Sequence, residues 1–120
     1  MERDGVQRFL NEFKALAKIY GVYFIDREKN DKALFELDLS RWRRNEELLS
    51  LTVDEYVSGP SRNLIPGMNG DVWVFGMSVY GKECYIKICI NTIVSRNGYR
   101  RSCICISFHV AEFPLKYYFK

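Results

Sequence analysis

Val6, Phe9, Leu10, Phe13, Leu16 and Tyr20 recur at helical spacing, with charged and amide side chains filling the positions between them. That pattern predicts an amphipathic helix over residues 6–20, ended by Gly21. Residues 22–26, Val-Tyr-Phe-Ile-Asp, read as a short strand. Residues 27–31 read as a charged turn, and 32–37 are too few to settle between helix and irregular chain. Ser40 is a good N-cap for a helix over 41–50, whose apolar face would use Trp42, Leu48, Leu49 and Leu51. Thr52 and Glu55 form a capping-box pair, which predicts one helical turn over 53–57. Residues 58–71 follow, rich in glycine and proline and without period, and read as a long loop.

The second half is strand-like. Residues 72–79 are apolar on both faces at first, as a central strand would be, and Gly76 within them marks a bulge or a close backbone approach. Tyr80-Gly81-Lys82 makes a turn into residues 82–91, where Cys84, Ile86, Ile88 and Ile90 alternate with Glu83, Tyr85, Lys87, Cys89 and Asn91. Asn97-Gly98 is a strong hairpin signal at the tip of a basic arm, 92–101. In 102–111 strict alternation places Ile104, Ile106, Phe108 and Val110 on one face and Cys103, Cys105, Ser107 and His109 on the other. The expected fold is one α+β domain over residues 1–120. A small antiparallel meander, of three strands or four if 22–26 joins it, carries the N-terminal helices on its apolar face.

Composition narrows the classes. The 120 residues are 48% hydrophobic and 28% charged, which suits a globular domain. A net charge of +3 permits a nucleic-acid partner without requiring one, but the cations are concentrated at Arg41, Arg43 and Arg44 and at Arg96, Arg100 and Arg101. No apolar run reaches the roughly 18 residues of a membrane span, and no signal-peptide pattern opens the chain, so a cytoplasmic location and no membrane partner are expected. The four cysteines sit inside strands without metal-ligand spacing and read as free, buried thiols. No metal site and no cofactor are implied.

Phosphate-binding loops and zinc-protease motifs are absent, and the single histidine rules out sites that need two. What remains is a strand-borne set: Tyr85, Lys87 and His109, with Ser107 and Glu112 beside them. Such a set suits RNA cleavage. Histidine moves a proton near neutral pH, lysine stabilises charge on a phosphate, and tyrosine stacks on a base. By pattern alone, a strand-exposed Tyr, Lys and His is more often a solvated face.

Four stretches resemble the MqsR-like branch of type II toxin–antitoxin toxins. They are Asp71-Val72-Trp73-Val74-Phe75-Gly76, Glu83-Cys84-Tyr85-Ile86-Lys87, Cys105-Ile106-Ser107-Phe108-His109-Val110-Ala111-Glu112, and Asp54-Glu55-Tyr56 followed by Gly59-Pro60. The opening helix, the short strand and Arg27-Glu28-Lys29-Asn30 fit the same branch, so the likeness runs over nearly the whole chain. The resemblance implies a RelE-like fold and a metal-independent mRNA endoribonuclease that arrests growth until a cognate antitoxin binds it. It makes mRNA the substrate and leaves the ribosome open as a further partner. Tyr85 and Lys87 match the family's active-site tyrosine and lysine, and His109 its basic residue after Ser-Phe. Val57 and Val74 depart from the family, whose better-known members carry a lysine and a glutamine there; the expectation at this departure is that His109 takes the acid/base role and that Arg62 or Arg101 replaces the lost cation. Arg62, Arg96, Arg100, Arg101 and Ser107 are the expected RNA contacts. The alternative is a non-catalytic RNA- or protein-binding module on the same fold.

Overall fold

The computed structural model describes residues 2–120. Helix α1 spans Arg3–Tyr20 and buries Val6, Leu10, Phe13 and Ala17. Strand β1 (Val22–Phe24) follows directly. Next comes α2 (Glu28–Glu36), so the expected charged turn is the first half of a helix. Glu28 and Asp31 in its first turn suit the positive end of the helix dipole, which is why so polar a stretch winds up. Helix α3 (Arg41–Leu49) begins as expected at Ser40, whose side chain accepts from the Arg43 amide at 3.0 Å. Its inward face differs from the reading of the sequence. Trp42 is 69% exposed, whereas Arg44 is buried with its guanidinium 3.8 Å above the Phe24 ring. A flat cation on an aromatic face takes the place the apolar pattern had given to tryptophan.

The sheet has five strands in the order β1-β5-β4-β3-β2 and is mixed. The strands β2 (Tyr56–Ser61), β3 (Val72–Val79), β4 (Lys82–Ser95) and β5 (Gly98–Val110) pair antiparallel, and β1 joins β5 in parallel. This corrects the expected three or four antiparallel strands. The capping box at Thr52 and Glu55 is present, but the turn it starts is three residues long, Val53–Glu55, and the chain then extends. Gly59 and Pro60 read as breakers, yet β2 is an edge strand. There the missing proline N–H costs no ladder bond.

One sheet face packs on the helices. Phe75, Cys84, Ile86, Ile88 and Phe108 are fully buried there with Leu10, Phe13 and Leu48. Trp73 stacks on Phe9, centroids 4.5 Å apart and 11° between planes. The opposite face carries a smaller cluster of Val72, Cys89, Ile104 and Ile106, over which the 62–71 loop lays Ile65 and Met68. Asn69 from that loop closes the bare edge of β4 beyond the end of β3, its amide bonding both ways with the Thr92 backbone.

Strict alternation fails in β5. Its pairing with β4 runs Lys87 to Ser107 and then Ile88 to Cys105, so Ile106 is an extra residue. The bulge re-aims everything before it. Cys103 and Cys105 therefore join the helix-side core, and Ile104 and Ile106 join the other face, the reverse of the sequence expectation. Val110, Phe108, Ser107 and His109 keep the expected sides. Asn30 secures the bulge: its amide donates to the carbonyls of Ile25 and Ile106 and accepts from the Phe108 amide. One side chain thus continues the edge ladder where β1 has ended.

Candidate nucleic-acid interface

The central strand β4 presents Tyr85 and Lys87 on the face away from the helices. His109 lies directly opposite Tyr85, and Ser107 opposite Lys87. The Tyr85 and His109 rings stack, with centroids 5.4 Å apart and 23° between planes. Nδ1 of His109 lies 3.0 Å from the Val110 carbonyl oxygen. A carbonyl only accepts, so Nδ1 carries the proton and Nε2 of the neutral ring is left as a base. Burial raises the Tyr85 pKa, which keeps its hydroxyl protonated through the neutral range.

These side chains floor a depression of about 300 Å³, together with Arg27, Lys29, Glu112, Phe113 and Leu115. The C-terminal tail makes one wall. The Leu115 amide and the Tyr117 hydroxyl both donate to the Glu83 carboxylate, each at 3.0 Å, and hold the tail against the sheet. Gly76 lies beneath: a Cβ there would stand 2.4 Å from Leu115 Cδ1 and 2.7 Å from the Tyr117 oxygen. Side chains of the crossing tail, in place of the bulge or backbone approach expected from the sequence, occupy the space that Gly76 leaves. Beyond it the Tyr118 amide bonds the Tyr56 carbonyl at the far edge.

A second depression of about 740 Å³ adjoins the first through Arg27, Tyr85 and Lys87. Ile25 and the buried Val72, Val74 and Ile106 form its apolar floor; Ser58, Ser61 and the 62–66 loop border it. Arg62 is in this second depression, and Val74 sits opposite Lys87.

Tyr85, Lys87, Ser107 and His109 therefore share one site, with Arg62 next door. The remaining expected cations lie elsewhere. Arg96 and Arg100 are exposed on the arm formed by the β4–β5 hairpin. Arg101 is ion-paired with Glu12 of α1, in a depression it shares with Phe9 and Trp73.

Arg27 and Lys29 escaped the reading of the sequence as site residues. Arg27 leads into α2, reaches over the buried Ser107 and donates to its Oγ at 3.4 Å. Lys29 is ion-paired with Glu112, which holds the Glu112 pKa below the usual carboxylate range. Only their place within Arg27-Glu28-Lys29-Asn30 marks them in the sequence, because the parallel pairing of β1 brings them to the site. Among the described residues the ion pairs engage Arg3, Lys29, Lys32, Arg43 and Arg101. Arg27, Arg62 and Lys87 have no carboxylate partner among the described residues, so the two joined depressions keep a local positive charge suited to an anion. No protein-family model, curated protein or solved structure matches the chain.

Proposed function

We propose that the protein is a metal-independent endoribonuclease acting on mRNA, and that it serves as the toxin of a type II toxin–antitoxin pair with a RelE-like fold of the MqsR-like kind. The observation that carries this reading is the shared register of Tyr85, Lys87, Ser107 and His109 beneath an unneutralised Arg27. Nε2 of His109 takes the 2′-OH proton. The 2′-oxygen then bonds to phosphorus, the bond from phosphorus to the 5′-oxygen breaks, and water protonates the departing oxygen. The products are a 2′,3′-cyclic phosphate and a 5′-OH end. Lys87 and Arg27 bind the non-bridging oxygens, where negative charge builds up, and the Tyr85 ring holds both His109 and a neighbouring base.

Two measurements test it. The purified protein cuts a short RNA, spares the same oligomer carrying 2′-deoxyribose at the cut, and loses about 10²- to 10⁴-fold in rate as His109→Ala. Expressed alone it arrests growth, and the neighbouring reading frame restores growth. His109→Ala and Lys87→Ala variants that still cut RNA at full rate would end the catalytic reading. Tight RNA binding without cleavage would favour the non-catalytic module instead.

A further inference from the structure

We infer that the larger depression, between the 62–66 loop and strands β2 and β3, is a nucleobase subsite that seats one unpaired base of the strand whose phosphate lies at Lys87. The inference rests on the RNA-cleaving reading and adds to it the place where sequence is read.

Three observations carry it. First, the two depressions share Arg27, Tyr85 and Lys87, so a phosphate held by these cations leaves its adjoining nucleotide at the mouth of the larger one. Second, the two linings differ in kind. The smaller depression gathers the titratable groups Lys29, His109 and Glu112, as a reacting centre requires. The larger one offers Ile25 and Leu64 to a flat ring, above the buried Val72, Val74 and Ile106, with Ser58 and Ser61 at its border for the ring's polar edge. Its volume of about 740 Å³ falls in the range of small-molecule sites, and a few polar groups on apolar walls are their usual make-up.

Third, the loop at its border is built rather than loose. Asn63 donates to the Gly70 carbonyl at 3.0 Å and accepts from the Ile65 amide at 3.0 Å. Ile65 and Met68 are packed down on the sheet, while Leu64 stands 83% exposed at the rim. An isolated apolar side chain held out over a depression with unneutralised cations suits a ligand that is anionic along its backbone and apolar on its faces. Single-stranded RNA combines the two, and stacking on apolar and aromatic side chains is how unpaired bases are held.

Binding is measured on short 2′-O-methyl homo-oligomers of A, C, G and U, which lack the attacking hydroxyl, and on an abasic backbone of equal length. The full-length chain binds at least one homo-oligomer about tenfold more tightly than the abasic backbone. Ser61→Trp, which fills the depression, and Leu64→Gly, which strips its exposed rim, each remove most of that difference. Equal affinity for the abasic backbone overturns the subsite, as does base discrimination that survives both variants. Cleavage of the matching ribo-oligomers is scored separately. Cutting without base discrimination ends the subsite alone, and discrimination without cutting ends the nuclease reading alone.

Discussion

The side-chain carbonyl of Asn30 accepts the backbone amide of Phe108 at 3.0 Å, 78 residues away along the chain. Its amide donates to the carbonyls of Ile25 and Ile106 at 3.0 and 2.9 Å. The residue is 1% exposed, so water cannot replace these bonds cheaply. Asn30→Ala is expected to lower the unfolding free energy by about 3 kcal/mol in urea titrations, since it strands a buried N–H and a buried C=O. Asn30→Asp is expected to cost as much near neutral pH, where a carboxylate would face two carbonyls. The loss should shrink in acid as the carboxyl gains a proton to donate. Both variants matching the parent within about 0.5 kcal/mol would show that the bulge holds itself.

That bond also explains which parts of the fold were legible in the sequence. Local periodicity was enough for α1 and the start of β4, which each bury one face, and the unbroken apolar run marked β3 as buried on both; for α3 the Ser40 cap marked the start, while the apolar pattern misplaced its inward face. It failed where a residue's surroundings come from distant chain. Ile106 breaks the alternation of β5 through a bulge braced by Asn30, and Asn30 itself looked like one polar residue in a turn. Strand β2 was hidden by Gly59 and Pro60, since edge position is a property of the sheet and not of the segment. For the same reason Tyr85, Lys87, Ser107 and His109 could be read as a cluster from two alternating strands, but Arg27 could not. It arrives through a parallel pairing that no hairpin signal announces.

Two glycines separate backbone from side-chain obstruction. A Cβ at Gly70 would stand 1.8 Å from the Ile90 carbonyl oxygen, which belongs to the sheet and cannot step aside. Gly70→Ala is expected to cost about 3 kcal/mol. At Gly76 the obstacles are the tips of Leu115 and Tyr117, which can swing away. Gly76→Ala should cost about 1 kcal/mol or less, but should loosen the tail and speed its removal by a carboxypeptidase. Equal stability losses at the two positions would contradict this contrast.

All four cysteines are buried and unpaired. Burial raises Cys84 and Cys89 from 9.0 to about 11 and Cys103 to about 12. Cys105 is displaced in the same direction. The unfolded chain therefore gives up its thiol protons from about pH 9, whereas the folded chain keeps them to about pH 11. Above pH 9 the folded state binds more protons, so stability falls as pH rises; below pH 9 this contribution is constant. Burial and a hydrogen bond to Glu83 raise Tyr117 to about 12, with the same sign. Urea midpoints should decline from pH 9 to pH 11, and Ellman's reagent should find no fast thiol in the native protein at pH 8. A thiol reacting at the rate of a free cysteine would contradict the burial.

Salt dependence distinguishes cations at the proposed site from cations that merely lie on the surface. Each phosphate neutralised on a single strand contributes about 0.7 to the slope of log affinity against log salt. Arg27 and Lys87 lie in both joined depressions and have no carboxylate partner among the described residues, so their charge is available to RNA. Arg27→Gln and Lys87→Gln should each reduce the slope by about 0.7. Arg101 is committed to Glu12 on the helix side of the sheet. Arg101→Gln should leave the slope unchanged and alter stability by at most about 1 kcal/mol, as for an exposed ion pair. If Arg101 moved the slope as much as Lys87 did, RNA would have to pass over the helix side as well, and the Tyr85 face would not be the whole of the interface.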